Sequence, residues 1–90
     1  MFEYDPAKSA ANLAKHGIDF ETAQKLWDDP DAIEIAAGHW PEARFLIIGL
    51  FDERHWTVVF TERGANIRII SARRSRPKEA KIYDTQRNQR

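Results

Sequence analysis

At 90 residues and 10.5 kDa the chain has room for one compact domain with a thin core. Its 42% apolar and 31% charged residues are ordinary globular usage, which excludes a disordered tail. The lack of cysteine excludes a disulfide scaffold, a thiolate metal site and a cysteine nucleophile.

The longest apolar run, Phe45–Phe51, falls far short of the ~20 residues a membrane span needs. The opening Met-Phe-Glu-Tyr-Asp shows no export signal, so a cytoplasmic protein without membrane contact is expected. The net charge of zero hides a division along the chain. Residues 1–67 carry 6 Lys/Arg against 12 Asp/Glu, whereas residues 68–90 carry 8 against 2. A basic last quarter fits a polyanion-binding region, and it fits a solvated basic tail as well.

Phe2-Glu3-Tyr4 alternates like a short strand. Asp5 then offers an N-cap oxygen, Pro6 suits the first helical position, and Gly17 suits the left-handed residue that ends a helix over Ala7–His16. Asp19 opens a second helix through about Trp27, stopped at Asp28-Asp29-Pro30. Beyond Pro30 the period changes from 3.6 to 2, giving strands over Ala32–Ala37, Arg44–Phe51, His55–Thr61 and Asn66–Arg73. Their short connections predict an antiparallel meander. The strand at Arg44–Phe51 is apolar on both faces and is expected at the centre of the sheet. A last helix starts at Ser75-Arg76-Pro77. The fold class is therefore α+β, in the order β-α-α-β-β-β-β-α, with helices packed on the sheet. One domain is expected over residues 1–84, followed by a frayed basic tail over 85–90.

Asp5, Lys8, Asn12 and His16 fall at steps of three and four, forming one polar stripe beside Lys15, with Ala10, Leu13 and Ala14 as a weak apolar stripe. The polar stripe reads either as a solvated helix face or as a proton-transfer histidine beside phosphate-binding cations. Ser71-Ala72-Arg73-Arg74, with Arg76 and Lys78, is the densest basic element. Guanidinium forks match phosphate oxygens, although exposed strand-end charges would look the same in sequence. In a regular strand Arg68 and Arg73 lie on opposite faces, so both serve one site only if a bulge or strand end intervenes. Glu79 and Tyr83, four apart, read as helix surface or as groups reaching a phosphate. Trp40 and Trp56 are the two tryptophans that could stack on bases. His16, His39 and His55 lack metal-ligand spacing, and no Gly-rich phosphate loop occurs, so neither metal nor cofactor is expected.

Phe2-x-Tyr4-Asp5-x-x-Lys8-x-x-x-Asn12-x-x-Lys15-His16-Gly17-Ile18-x-Phe20-x-x-Ala23 resembles the opening of BrnT-type ribonuclease toxins. Glu42-x-Arg44 with Gly49, and Ile67-Arg68-Ile69-Ile70-Ser71-Ala72-Arg73-Arg74 followed by Glu79 and Tyr83, extend the resemblance over nearly the whole chain. One departure is Tyr4, where Trp is usual. The resemblance implies a RelE-like fold, an RNA-cleaving toxin that inhibits translation, and a ribbon-helix-helix (BrnA-like) antitoxin, with operator DNA bound only through the complex. It further implies metal-independent chemistry, in which the RNA 2′-hydroxyl attacks the adjacent phosphorus. His16 is the expected proton-transfer group, with Glu79 or Tyr83 as alternates. Lys8, Arg68 and Arg73 would stabilise the phosphorane and Ser71 would hold a phosphate. Lys15, Arg44, Arg74, Arg76 and Lys78 would bind RNA. The competing reading is a non-catalytic nucleic-acid-binding or corepressor module that acts through its partner.

Overall fold

A computed structural model of the chain describes residues 1–89. Strand β1 (Phe2–Glu3) is followed by helix α1 (Pro6–His16), a short helix α2 (Phe20–Ala23), and a 3₁₀ turn over Gln24–Asp28. Strands β2 (Ile33–Gly38), β3 (Arg44–Phe51), β4 (Arg54–Arg63) and β5 (Asn66–Arg74) come next, and helix α3 (Pro77–Asn88) ends the fold. The α+β class and the element order agree with the sequence. The helix expected over 20–27 divides, because its last turn tightens to 3₁₀ before Pro30. At the other end, α3 carries regular helix through Asn88, four residues past the expected boundary at 84, while Arg90 of the expected tail lies outside the described residues.

The sheet has five strands in the order β1-β5-β4-β3-β2. β2 to β5 form the expected antiparallel meander, but β1 joins β5 in parallel through Phe2↔Ile67 and Glu3↔Arg68, so the sheet is mixed. The central strand is β4, not β3. Trp56, Thr57, Val58, Phe60 and Thr61 of β4 are all buried, because strands flank it on both sides. β3 lies one place from the edge, and Phe45 and Leu46 remain half-exposed.

One face of the sheet holds the core, where Ile47, Val58, Phe60, Ile69 and Ala72 pack against Ile18, Phe20, Ala23 and Leu26. Edge-to-face rings extend it from Phe2 through Trp27 to Phe60, at centroid distances of 4.9 and 5.1 Å. Trp56 belongs to this core at 6% exposure and donates its Nε1–H to the Phe51 carbonyl. It is therefore not the stacking platform the sequence allowed. Trp40, on the β2–β3 turn, is 88% exposed.

α1 begins as expected, with Asp5 accepting a hydrogen bond from the Ala7 amide, and ends at Gly17 with φ of 80°. Its packing reverses the expectation. Ala10, Leu13 and Ala14 are exposed, whereas Ser9 and Asn12 are buried. The reason is that α1 lies along the open edge of β5, where backbone groups need polar partners more than apolar ones. Ser9 Oγ accepts from the Phe20 amide at 2.9 Å, and Asn12 bonds to Ala72 and Ile18.

Candidate active site

The pairing of β4 with β5 settles which arginines share a surface. Val59 pairs with Ser71, and the next residue, Phe60, pairs with Ile69, so Ile70 is an extra residue in β5. This bulge reverses the alternation of side chains beyond it. Ile69 and Ala72 both enter the core. Arg68, Ser71 and Arg73 pair with Thr61, Val59 and Thr57, three alternate residues of β4, and so all point to the opposite face. Arg44 and Leu46 of β3 share that face, since Leu46 pairs with Val59. α3 covers only part of it, where Glu79 meets Thr57 and Arg73.

Ser71 also borders a groove of about 250 Å³ between α1 and the β5 edge, lined by Lys8, Asn12, Lys15, His16 and Ile70. Two stretches some sixty residues apart thus supply a hydroxyl, an imidazole and two ammonium groups to one concave surface. Such a surface can hold a phosphate and exchange a proton with a group next to it.

The other predicted residues have partners of their own. Arg73 donates two hydrogen bonds to Glu79, at 2.7 and 2.9 Å, in a pair whose side chains are 21% and 12% exposed. The Arg73 hydrogen bonds hold the Glu79 carboxyl down at about 2, helped by the Arg76 amide and the Thr57 hydroxyl, while the carboxylate raises the Arg73 pKa in turn. Glu79 is thereby an anion with its lone pairs engaged, and a weak proton acceptor near neutrality. Tyr83 is buried and donates to Asp29 Oδ2 at 2.7 Å. Burial pushes its phenol up to about 12, with the Asp29 hydrogen bond adding to the effect. Arg68 is bonded to Glu3 Oε2 at 3.1 Å. Arg74 lies over the Trp56 ring at 5.5 Å, and Arg74, Arg76 and Lys78 are exposed around the start of α3. Arg44 is half-buried, and its Nε is without a hydrogen-bond partner among the described residues.

Glu3, Thr57 and Ser75 were not expected as site residues from the sequence. Ser75 Oγ and Thr57 Oγ1 lie 2.8 Å apart and complete the setting of Glu79. The signal for Thr57 was a hydroxyl set between the apolar Trp56 and Val58. Among the described residues, no group of three or more His, Asp or Glu side chains is placed to hold a metal ion.

The family model for the ribonuclease toxin BrnT of type II toxin–antitoxin systems matches residues 4–79, most of the chain. The chain belongs to the BrnT family. It is accordingly a ribonuclease toxin whose counterparts are an RNA substrate and an antitoxin. No curated protein matches it. The matched BrnT region holds α1, the bulged strand β5 and Glu79, so the groove and the arginine face fall within it. No helix among the described residues is long and apolar enough to cross a membrane.

Proposed function

We propose that this BrnT chain cleaves RNA without a metal, at the surface where the α1 groove meets the arginine-bearing face of β5. The substrate 2′-oxygen bonds to the adjacent phosphorus as the bond to the 5′-oxygen breaks, leaving a 2′,3′-cyclic phosphate and a 5′-hydroxyl. One proton leaves the 2′-hydroxyl and another reaches the departing oxygen. His16 is the proton-transfer group, because Glu79 is already held as an anion by Arg73 and Tyr83 is committed to Asp29. Lys8, Arg68 and Arg73 stabilise the charge that develops on the phosphoryl oxygens, and Ser71 orients a phosphate. Lys15, Arg44, Arg74, Arg76 and Lys78 hold the flanking backbone.

The observation that carries this reading is the bulge at Ile70, which turns Arg68, Ser71 and Arg73 to one side of the sheet while Ser71 borders the groove of Lys8 and His16. The toxin acts in the cytoplasm, and its antitoxin is of the ribbon-helix-helix type, with operator DNA bound through the complex. His16→Ala and Arg73→Ala toxins expressed without antitoxin test the site. Growth arrest is expected to weaken in both, and full arrest by both would reject the proposed centre. Incubation of the purified protein with RNA in EDTA tests the chemistry. Cleavage is expected, whereas a salt-sensitive gel shift without cleavage would favour a non-catalytic binding module.

A further inference from the structure

α1 meets the sheet where β5 has no neighbouring strand. β1 pairs with β5 only at Ile67 and Arg68. Farther along, the Asn12 carboxamide stands in for the missing strand. Its Nδ2 donates to the Ala72 carbonyl at 2.9 Å, and its Oδ1 accepts from the Ala72 amide at 3.2 Å. Nδ2 also donates to the Ile18 carbonyl at 2.7 Å. With both donors spent in a buried side chain, the carboxamide has none left to offer a ligand. Among the described residues, the Asn12 bonds are the hydrogen bonds that join α1 to β5. Lys8 lies four residues before Asn12 and His16 four after, so all three share one side of the helix and one groove. Ser71, across that groove, adjoins Ala72 in the chain.

We propose that Asn12 is a positioning residue for RNA cleavage, locking α1 in register with the β5 edge and so holding Lys8 and His16 opposite Ser71. The proposal rests on the groove being the reaction site. A displacement of ~1 Å in a positioned group commonly costs ~100-fold in rate. With Leu13 49% exposed on the other side of α1, apolar packing there does little to restore the placement.

The test is a double-mutant cycle on a fluorophore-labelled single-stranded RNA of mixed sequence, run where circular dichroism shows each variant folded. Asn12→Gln keeps the amide but lengthens its stem by one methylene. In the native background Lys8→Ala is expected to lower kcat/KM by ~100-fold. In the Asn12→Gln background it is expected to cost less than ~3-fold, because the lysine is already displaced. Arg76→Ala, exposed at the cap of α3 and not among the groove-lining residues, is expected to cost the same factor in both backgrounds. Equal losses for Lys8→Ala in both backgrounds would make Asn12 purely structural and overturn the proposal. No loss from Lys8→Ala or His16→Ala in the native background would reject the groove itself, and the proposal with it. If Asn12→Gln does not fold, the same cycle is run on Asn12→Asp, which keeps an oxygen for the Ala72 amide and loses the Nδ2 bonds to Ala72 and Ile18. A smaller loss from Lys8→Ala is expected in that background, and an equal loss would overturn the proposal.

Discussion

Arg73 and Glu79 face each other through two nearly parallel hydrogen bonds, one from each terminal nitrogen of the guanidinium, at 2.7 and 2.9 Å. The pair ties the end of β5 to the first turn of α3, where Glu79 also accepts from the Arg76 amide. Glu79 titrates at about 2 in the folded chain against an ordinary 4.5. A depressed carboxyl pKa stabilises the fold above the unfolded pKa, and that contribution is lost as pH falls from about 4.5 toward 2. Allowing for solvent on the exposed edge of Arg73, the term is on the order of 2 kcal/mol. Urea unfolding at pH 7, 4.5 and 3 measures it. Glu79→Gln is expected to be less stable than the native chain at pH 7, with the gap narrowing to less than half by pH 3 and closing only as pH falls toward 2. A gap as wide at pH 3 as at pH 7 would assign the stabilisation to packing.

Asp29 makes a second tie between layers. Its Oδ2 accepts from the Leu50 amide at 2.9 Å and from the Tyr83 hydroxyl at 2.7 Å, while Oδ1 accepts from the Asp31 amide. Tyr83→Phe removes one bond to a charged acceptor and is expected to cost about 1–2 kcal/mol at neutral pH. The phenol pKa is raised from 10.0 to about 12, so its contribution is whole below pH 10 and lost as pH climbs toward 12. The difference between native and variant in chemical denaturation should shrink over that interval. Because the proposed chemistry leaves Tyr83 out of proton transfer, the variant should keep its cleavage rate at temperatures where it is folded. A loss of ~100-fold or more there would make Tyr83 the acid in place of His16.

Local signals made most of the fold legible. Asp5, Pro6 and Gly17 framed α1, and the change of period after Pro30 located the four strands of the meander. Pairing geometry carried no such signal. Ile67 to Arg74 reads as unbroken alternation, and only the opposition of Phe60 to Ile69 and Val59 to Ser71 reveals that Ile70 is supernumerary. That one residue decides whether Arg68 and Arg73 can act together. In the same way, α1 looked like a helix with a polar outer stripe because hydropathy assigns polar residues to water. At a bare strand edge the buried side is the polar one, and Ser9 and Asn12 are what it selects. The charges of Arg68 and Arg73 were visible, but their pairing with Glu3, 65 residues from Arg68, and with Glu79, on the next element after Arg73, is set by the parallel β1–β5 pairing and the turn into α3.

Gly49 sits in the middle of β3 beneath the 3₁₀ turn. A Cβ there would lie 3.2 Å from Leu26 Cγ and 3.3 Å from Asp29 Oδ2. Neither neighbour yields easily, since Leu26 is fully buried and Asp29 is held by three hydrogen bonds. Gly49→Ala is therefore expected to cost about 1–3 kcal/mol through overpacking. For a domain of this size, scanning calorimetry should show Tm falling by roughly 4–8 °C for each kcal/mol. An unchanged Tm would mean that the turn shifts freely. Gly17→Ala is a useful comparison, because nothing lies within 4 Å of its Cβ and only the backbone at φ +80° resists the change. Its expected cost is about 1 kcal/mol.

The proposed RNA-binding face does not present its full complement of free charge. Arg68 is shared with Glu3 at 3.1 Å, and both side chains are about one-third exposed, at 31% and 33%. A phosphate approaching Arg68 must compete with that carboxylate or accept its repulsion. Glu3→Gln removes the negative charge while keeping an oxygen near the guanidinium. It should therefore tighten the binding of single-stranded RNA, measured with the His16→Ala toxin to suppress turnover. Each phosphate neutralised on a single strand contributes about −0.7 to the slope of log K against log salt. The expected change for Glu3→Gln is a slope steeper by about that amount, with the tightening greatest at low salt. Weaker binding at every salt concentration would show instead that Glu3 holds Arg68 in the orientation the RNA requires.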